Sequence, residues 1–199
     1  MIQNSLSRTW FLGHGCEQVP LDAAKGQVRW GHPNGYFLRP DGQKAADNFN
    51  PAKQRGTTGS CYPCLRECGG LNCHIAMALA FYGERPVFKD EKTGKTYVGI
   101  CHHLIPDKRN YRPDNLLCWL NHEQHFEADR RQRLLRTVVP DGDLTLFTYE
   151  RLRDLQDPRS MSRELFEAEL AAIRSQHFTR SSQSTEAAML HDLTHHMEC

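Results

Sequence analysis

The chain has 199 residues, 39% hydrophobic and 25% charged, with a mean hydropathy of -0.65. A chain of this length buries about 70% of its unfolded surface, so it needs no disulfide scaffold, and its composition excludes a disordered tail and a membrane-spanning protein. Twenty-five Lys and Arg against 24 Asp and Glu leave a formal charge of +1, so a polyanion partner has to be read from local charge; 8 Cys and 11 His are a surplus of metal-ligand types.

Met1 to Gly15 has neither a basic leader nor an apolar core, which argues against a secretory signal peptide. No run approaches the ~18 apolar residues of a membrane span. Cytoplasmic synthesis is therefore expected, with export by a dedicated secretion system still compatible. In a reducing compartment, clustered Cys are better read as ligands than as disulfides.

Residues 1–60 hold 8 of the 14 Gly and 4 of the 10 Pro and carry 7 basic against 4 acidic residues. They are predicted to be loop-rich, with short strands at Val28–Trp30 and Tyr36–Leu38. Residues 61–140 carry 12 basic and 9 acidic residues, and residues 141–199 carry 6 basic and 11 acidic. This asymmetry suggests that the first 140 residues face a polyanion and the helical C-terminal segment does not.

Cys61, Cys64, Cys68 and Cys73 fall with His74 inside 14 residues. The CxxC spacing of the first pair is that of a zinc knuckle, and Gly69 and Gly70 let the chain turn back to bring Cys68 and Cys73 round. A structural zinc on the four Cys is the leading expectation, with Cys101 or Cys118 as replacements. Two alternatives use the same residues. Cys68 and Cys73 are small buried hydrophobes, or Cys73 at a helix N-terminus is the nucleophile of a papain-like cysteine hydrolase with His103 as its base. A zinc deaminase is disfavoured, because its His-x-Glu should precede a Pro-Cys-x-x-Cys.

Asn72 and Gly83 bracket an apolar run as N-cap and C' residues of a helix. Val87–Lys89 and Thr96–Ile100 flank a turn-rich Asp90–Lys95, a β-hairpin signature. Leu116–Trp119 is predicted as a short strand and Asn121–Val138 as a helix. Phe166, Leu170, Ile173 and His177 place an amphipathic helix at about 161–178. A last helix is expected around 187–197, where His191, His195, His196 and Cys199 cluster.

The string Gly99-Ile-Cys-His102-His103-Leu-Ile-Pro106, followed by Asn115, His122 and His125, carries the chemistry. Adjacent residues at a strand end project to opposite faces, so one imidazole of the pair can bind a metal while the other faces a substrate. An Asn that holds the second imidazole fixes its tautomer, as a general base requires.

In these residues the chain resembles the HNH, or His-Me finger, nucleases, over about residues 95–136. The family has an Asp-His or His-His pair ending a strand, an Asn about a dozen residues later and a His opening the following helix. Asn121 stands where zinc-bearing members have a second Cys. The His-His-Leu-Ile-Pro wording is most similar to nuclease domains of bacterial polymorphic toxins. The resemblance implies that His103 is the general base on water, that Asn115 holds it, and that His102 and His122 ligate one divalent Mg, Mn or Zn ion, with His125 as a second candidate. It also implies a DNA substrate, RNA being not excluded, and for a toxin a cognate immunity protein as partner.

Lys108, Arg109 and Arg112 in the loop and Arg130, Arg131, Arg133 and Arg136 on the helix are candidate phosphate contacts. The expectation is an α+β protein in one compact unit. A ββα-metal core at about 86–138 follows a Cys-rich zinc-stabilised N-terminal part and precedes a helical C-terminal part. The non-enzymatic alternative is a zinc-binding nucleic-acid or interaction module whose histidines are structural.

Overall fold

The structure, a computed structural model, describes residues 5–47, 62–91 and 93–176. The fold is mixed α+β, and the chain divides into two units, 1–125 and 126–199.

The first unit opens with α1 (Arg8–Gly13), whose N-cap Ser7 accepts a hydrogen bond from the Trp10 N–H at 3.2 Å. The helix delivers Phe11 to a small core with Cys16, Trp30 and Leu38, where Phe11 stacks on Trp30 at 4.6 Å between ring centroids. Strands β1 (Glu17–Gln18), β2 (Trp30–His32) and β3 (Tyr36–Leu38) form an antiparallel sheet. β2 begins at Trp30 rather than Val28 because the 33–35 turn pairs His32 with Tyr36, which places Trp30 opposite Leu38, the last residue of β3.

Strands β4 (Cys64–Leu65) and β5 (Leu71–Asn72) pair across a single 3₁₀ turn, and α2 (Cys73–Tyr82) follows at once. Asn72 is the N-cap, through its backbone conformation, without a side-chain bond. The helix stops at Gly83, whose φ of 76° and ψ of -158° suit only glycine. Gly31 lets α2 approach the sheet: a Cβ there would lie 2.9 Å from Met77 Sδ. The main core of the unit joins α2 residues Ala76, Met77 and Ala78 to Phe37, Leu65, Tyr111 and Leu116.

β6 (Val87–Lys89) and β7 (Thr96–Val98) form the expected hairpin, and Gly99 separates it from β8 (Ile100–His103). β8 pairs antiparallel with β9 (Leu116–Leu120), His102 opposite Leu117 and His103 opposite Leu116. The register shifts between Ile100 and His102, where Trp119 takes a left-handed φ of 62°. This is a β-bulge, two residues of β9 spanning one of β8. The Trp119 indole donates to the Tyr82 carbonyl at 3.2 Å, and the Tyr82 hydroxyl donates to the Pro113 carbonyl at 2.6 Å, tying the end of α2 to this sheet.

α3 (His122–Val138) begins with a reciprocal capping box. Asn121 Oδ1 accepts from the Gln124 N–H at 2.8 Å, and Gln124 Oε1 accepts from the Asn121 N–H at 2.9 Å.

The second unit contains the remainder of α3, then α4 (Tyr149–Gln156) capped by Thr148, and α5 (163–176). Leu135, Leu152, Leu155, Phe166, Leu170 and Ile173 are buried, so the apolar stripe of α5 faces inward as its spacing predicts. His177, the helix expected at 187–197 with its histidines, and Cys61 lie outside the described residues. Among the described residues no helix is long and apolar enough to cross a membrane.

Candidate functional site

β8, the 104–115 loop, β9 and the first turn of α3 carry the histidines and the asparagine that the sequence singles out. His102 and His103 are 4% and 7% exposed. Side-chain alternation along β8 sends them into different surroundings. The His102 ring meets the His125 ring edge to face, centroids 5.7 Å apart and planes at 78°. The His103 ring instead lies 5.2 Å from His74 of α2 and 5.8 Å from Tyr62.

Between the two helix histidines expected near His102, it is His125 that approaches it. His122 is exposed and packs edge-on against Tyr97 of β7 at 4.3 Å. Asp129 follows His125 by one turn of α3 and offers a carboxylate on the same helix face.

Asn115 is fully buried and its side chain closes the loop between the strands. Its Oδ1 accepts from the Ile105 N–H at 2.8 Å, while Nδ2 donates to the carbonyls of Asn110 at 2.7 Å and Ile105 at 3.3 Å. The Leu104 N–H donates to the Asn115 carbonyl at 2.9 Å. Asn115 thus positions the chain that leaves His103, and its side chain bonds the backbone of Ile105 and Asn110 rather than the imidazole.

Burial pushes the His103 imidazole down to about 4, helped by the neighbouring His102 and Lys108 and opposed by Asp107. Burial likewise pushes His74 down to about 3, with His103 and Arg85 adding to the effect. Both rings are therefore neutral at physiological pH, the form in which an imidazole can accept a proton.

Lys108 and Arg109 are exposed at the loop tip, and the Lys108 ammonium stands 4.9 Å from the centre of the Tyr62 ring. Arg112 is paired with Asp114 at 2.6 Å. The helix arginines correct the expectation of a row of phosphate contacts. Arg131 is 1% exposed; its guanidinium bonds Glu127 at 3.1 Å and the Met161 carbonyl at 2.9 Å, and it lies 5.1 Å from the centre of the Phe166 ring. It is a core residue of the second unit and cannot reach a phosphate. Arg130 is engaged by Glu127 at 3.0 Å and Glu167 at 3.5 Å, whereas Arg133 and Arg136 are exposed.

Among the described residues, Cys16, Cys68, Cys73, Cys101 and Cys118 are buried and Cys64 is half-buried. Cys68 and Cys73 are 1% and 0% exposed and belong to the main core, and Cys64 pairs with Asn72 across β4 and β5. Among the described residues no cysteine belongs to a group of three metal-ligating side chains. Cys73 does sit at the N-terminus of α2, but burial, with Asp47 and Cys64 adding to it, pushes its thiol well above the ordinary range, against a hydrogen bond with Tyr111. That is the reverse of the lowered pKa of a nucleophilic cysteine. His14 Nδ1 is 2.7 Å from the Trp10 carbonyl and its ring stacks on Trp10.

Tyr62 and His74 join this region without having been singled out for it in the sequence, since their nearness to His103 arises only when α2 folds onto the β8–β9 sheet. No protein-family model, curated protein or solved structure matches this chain.

Proposed function

We infer that the protein is a metal-dependent endonuclease hydrolysing DNA phosphodiester bonds, with His103 as general base. The observation that carries this reading is the division of labour between two adjacent histidines. His102 faces a second imidazole on α3, and His103 faces a separate group of rings.

The donor set suits a borderline divalent ion. Two imidazoles with centroids 5.7 Å apart are within the span of one ion with bonds of about 2.1 Å to a nitrogen of each, and water would complete its coordination. When bound, Mg²⁺, Mn²⁺ or Zn²⁺ supplies charge stabilisation at the phosphate and the leaving oxygen. His102 and His125 would hold and orient it. His103 takes the proton of the attacking water, the role a neutral imidazole can fill. Asn115 keeps the 104–115 loop in place beneath it, and exposed Lys108 and Arg109 bind the nucleic-acid backbone without reading sequence.

Nicking of supercoiled plasmid in Mg²⁺ or Mn²⁺ tests the reading. His103→Ala should abolish nicking while the melting temperature and Mn²⁺ binding persist. Undiminished nicking by that variant would remove His103 from the mechanism.

A further inference from the structure

His74 is the second residue of α2 and is 6% exposed, yet its Nδ1 has no hydrogen-bond partner among the described residues. Leaving such a group buried and unsatisfied costs about 1–3 kcal/mol, so an apolar ring would serve the core better unless something else uses the nitrogen. The position is not a neutral one. Its ring centre is 5.2 Å from that of His103, and Tyr62 lies against both rings, at 4.3 Å and 5.8 Å. Lys108 stands over Tyr62 from the 104–115 loop. Two imidazoles, a phenol ring and an ammonium group thus converge from separate stretches of the chain.

We propose that His74 is a second substrate-facing imidazole of the reaction centre, its Nδ1–H donating to a non-bridging oxygen of the phosphodiester under attack. This rests on the nuclease reading above. The bond from water oxygen to phosphorus forms as the water proton passes to His103. The bond from phosphorus to the leaving oxygen breaks, and that oxygen takes a proton from solvent. His74 keeps its proton throughout and stabilises the charge that builds on the phosphoryl oxygen, a task for which a neutral imidazole is a competent donor.

Two substitutions separate this role from packing. His74→Phe keeps an aromatic ring and removes both nitrogens, whereas His74→Asn keeps a polar hydrogen where Nδ1–H stood. The expected result is a folded Phe variant with unchanged Mn²⁺ affinity, a kcat lowered about 100-fold and a nearly unchanged KM, with much of the rate recovered in the Asn variant. A Phe variant that nicks plasmid like the wild type would overturn the proposal and leave the nuclease reading standing. A wild-type protein that cuts neither DNA nor RNA would overturn both. A second readout needs no turnover and no folded variant. The side-chain ¹⁵N signals of His74 in the EDTA-treated wild type should move on titration with thymidylyl-(3′→5′)-thymidine, while those of His14 stay fixed. Absence of that movement would also overturn the proposal.

Discussion

Cys101 and Cys118 face each other across β8 and β9, their sulfurs 2.8 Å apart beside the bulge that precedes His102. Both are buried in the main core and belong to no three-ligand metal group among the described residues. Replacing either by Ala should lower stability by about 1–2 kcal/mol through lost packing, measured by urea unfolding, and should leave the protein's zinc content unchanged. Zinc lost in step with either substitution would make the pair ligands instead.

The two α3 histidines should separate cleanly. His125→Ala and His102→Ala should each weaken Mn²⁺ binding at least about tenfold and stop nicking, because their rings face one another. His122→Ala should leave both properties near wild type, since its ring packs on Tyr97 at the surface. Isothermal titration with Mn²⁺ alone distinguishes the two cases without a nucleic acid.

Acid should destabilise the protein through His74 and His103. Both are pushed below an unfolded value of about 6.5, to about 3 and about 4. The folded state therefore binds fewer protons than the unfolded one. The stability these neutral rings provide is fully present above pH ~6.5 and falls as the pH drops toward ~4. The slope of unfolding free energy against pH in that window should be shallower in His74→Phe than in the wild type. Equal slopes would show that His74 titrates normally.

In the second unit, Glu127 receives hydrogen bonds from Arg130, Arg131 and Arg163 at 3.0–3.1 Å. Burial pushes its carboxyl upward, but the three arginines outweigh this and hold it at about 2. The sign is that of a depressed carboxylate: the stabilisation is present above its unfolded pKa of about 4.5 and is lost as pH falls toward 2. Glu127→Gln should cost about 2 kcal/mol at neutral pH after allowance for solvent screening, and near pH 2 the deficit should vanish. Arg131→Ala should cost more, about 3–5 kcal/mol, because it leaves a largely buried carboxylate with fewer partners. By contrast Lys108→Ala with Arg109→Ala should cost no more than about 1 kcal/mol of stability, through the lost Lys108–Tyr62 contact, and should reduce the salt dependence of DNA binding by about two charges.

Much of the local structure was legible in the residues. Asn72 and Gly83 bracket α2, the Asp90–Lys95 turn sets the β6–β7 hairpin, and the α5 stripe of Phe166, Leu170 and Ile173 is buried. Asn121 and Gln124 spell a capping box at the start of the helix expected from Asn121. The two-residue strands β1, β4 and β5 are too short to show a period. The bulge at Trp119 exists only through pairing with β8, so no local pattern announces it. The choice between His122 and His125 depends on the rotation of α3 about its axis relative to β8, which spacing alone does not supply. Arg131 looked like its neighbours in a basic run; the carbonyls and carboxylate that absorb it come from the rest of the second unit.

The buried amide of Asn115 joins both ends of its loop while the residues at 106–109 remain exposed. The base of the loop is thereby fastened, while Lys108 at the tip reaches back over Tyr62. Extra residues inserted at the tip would lengthen an arm whose root is already fastened, at only a slowly rising entropic cost. The 106–109 segment is accordingly a graft point for a recognition peptide, provided that Asp107, Lys108 and Arg109 are kept beside the insertion.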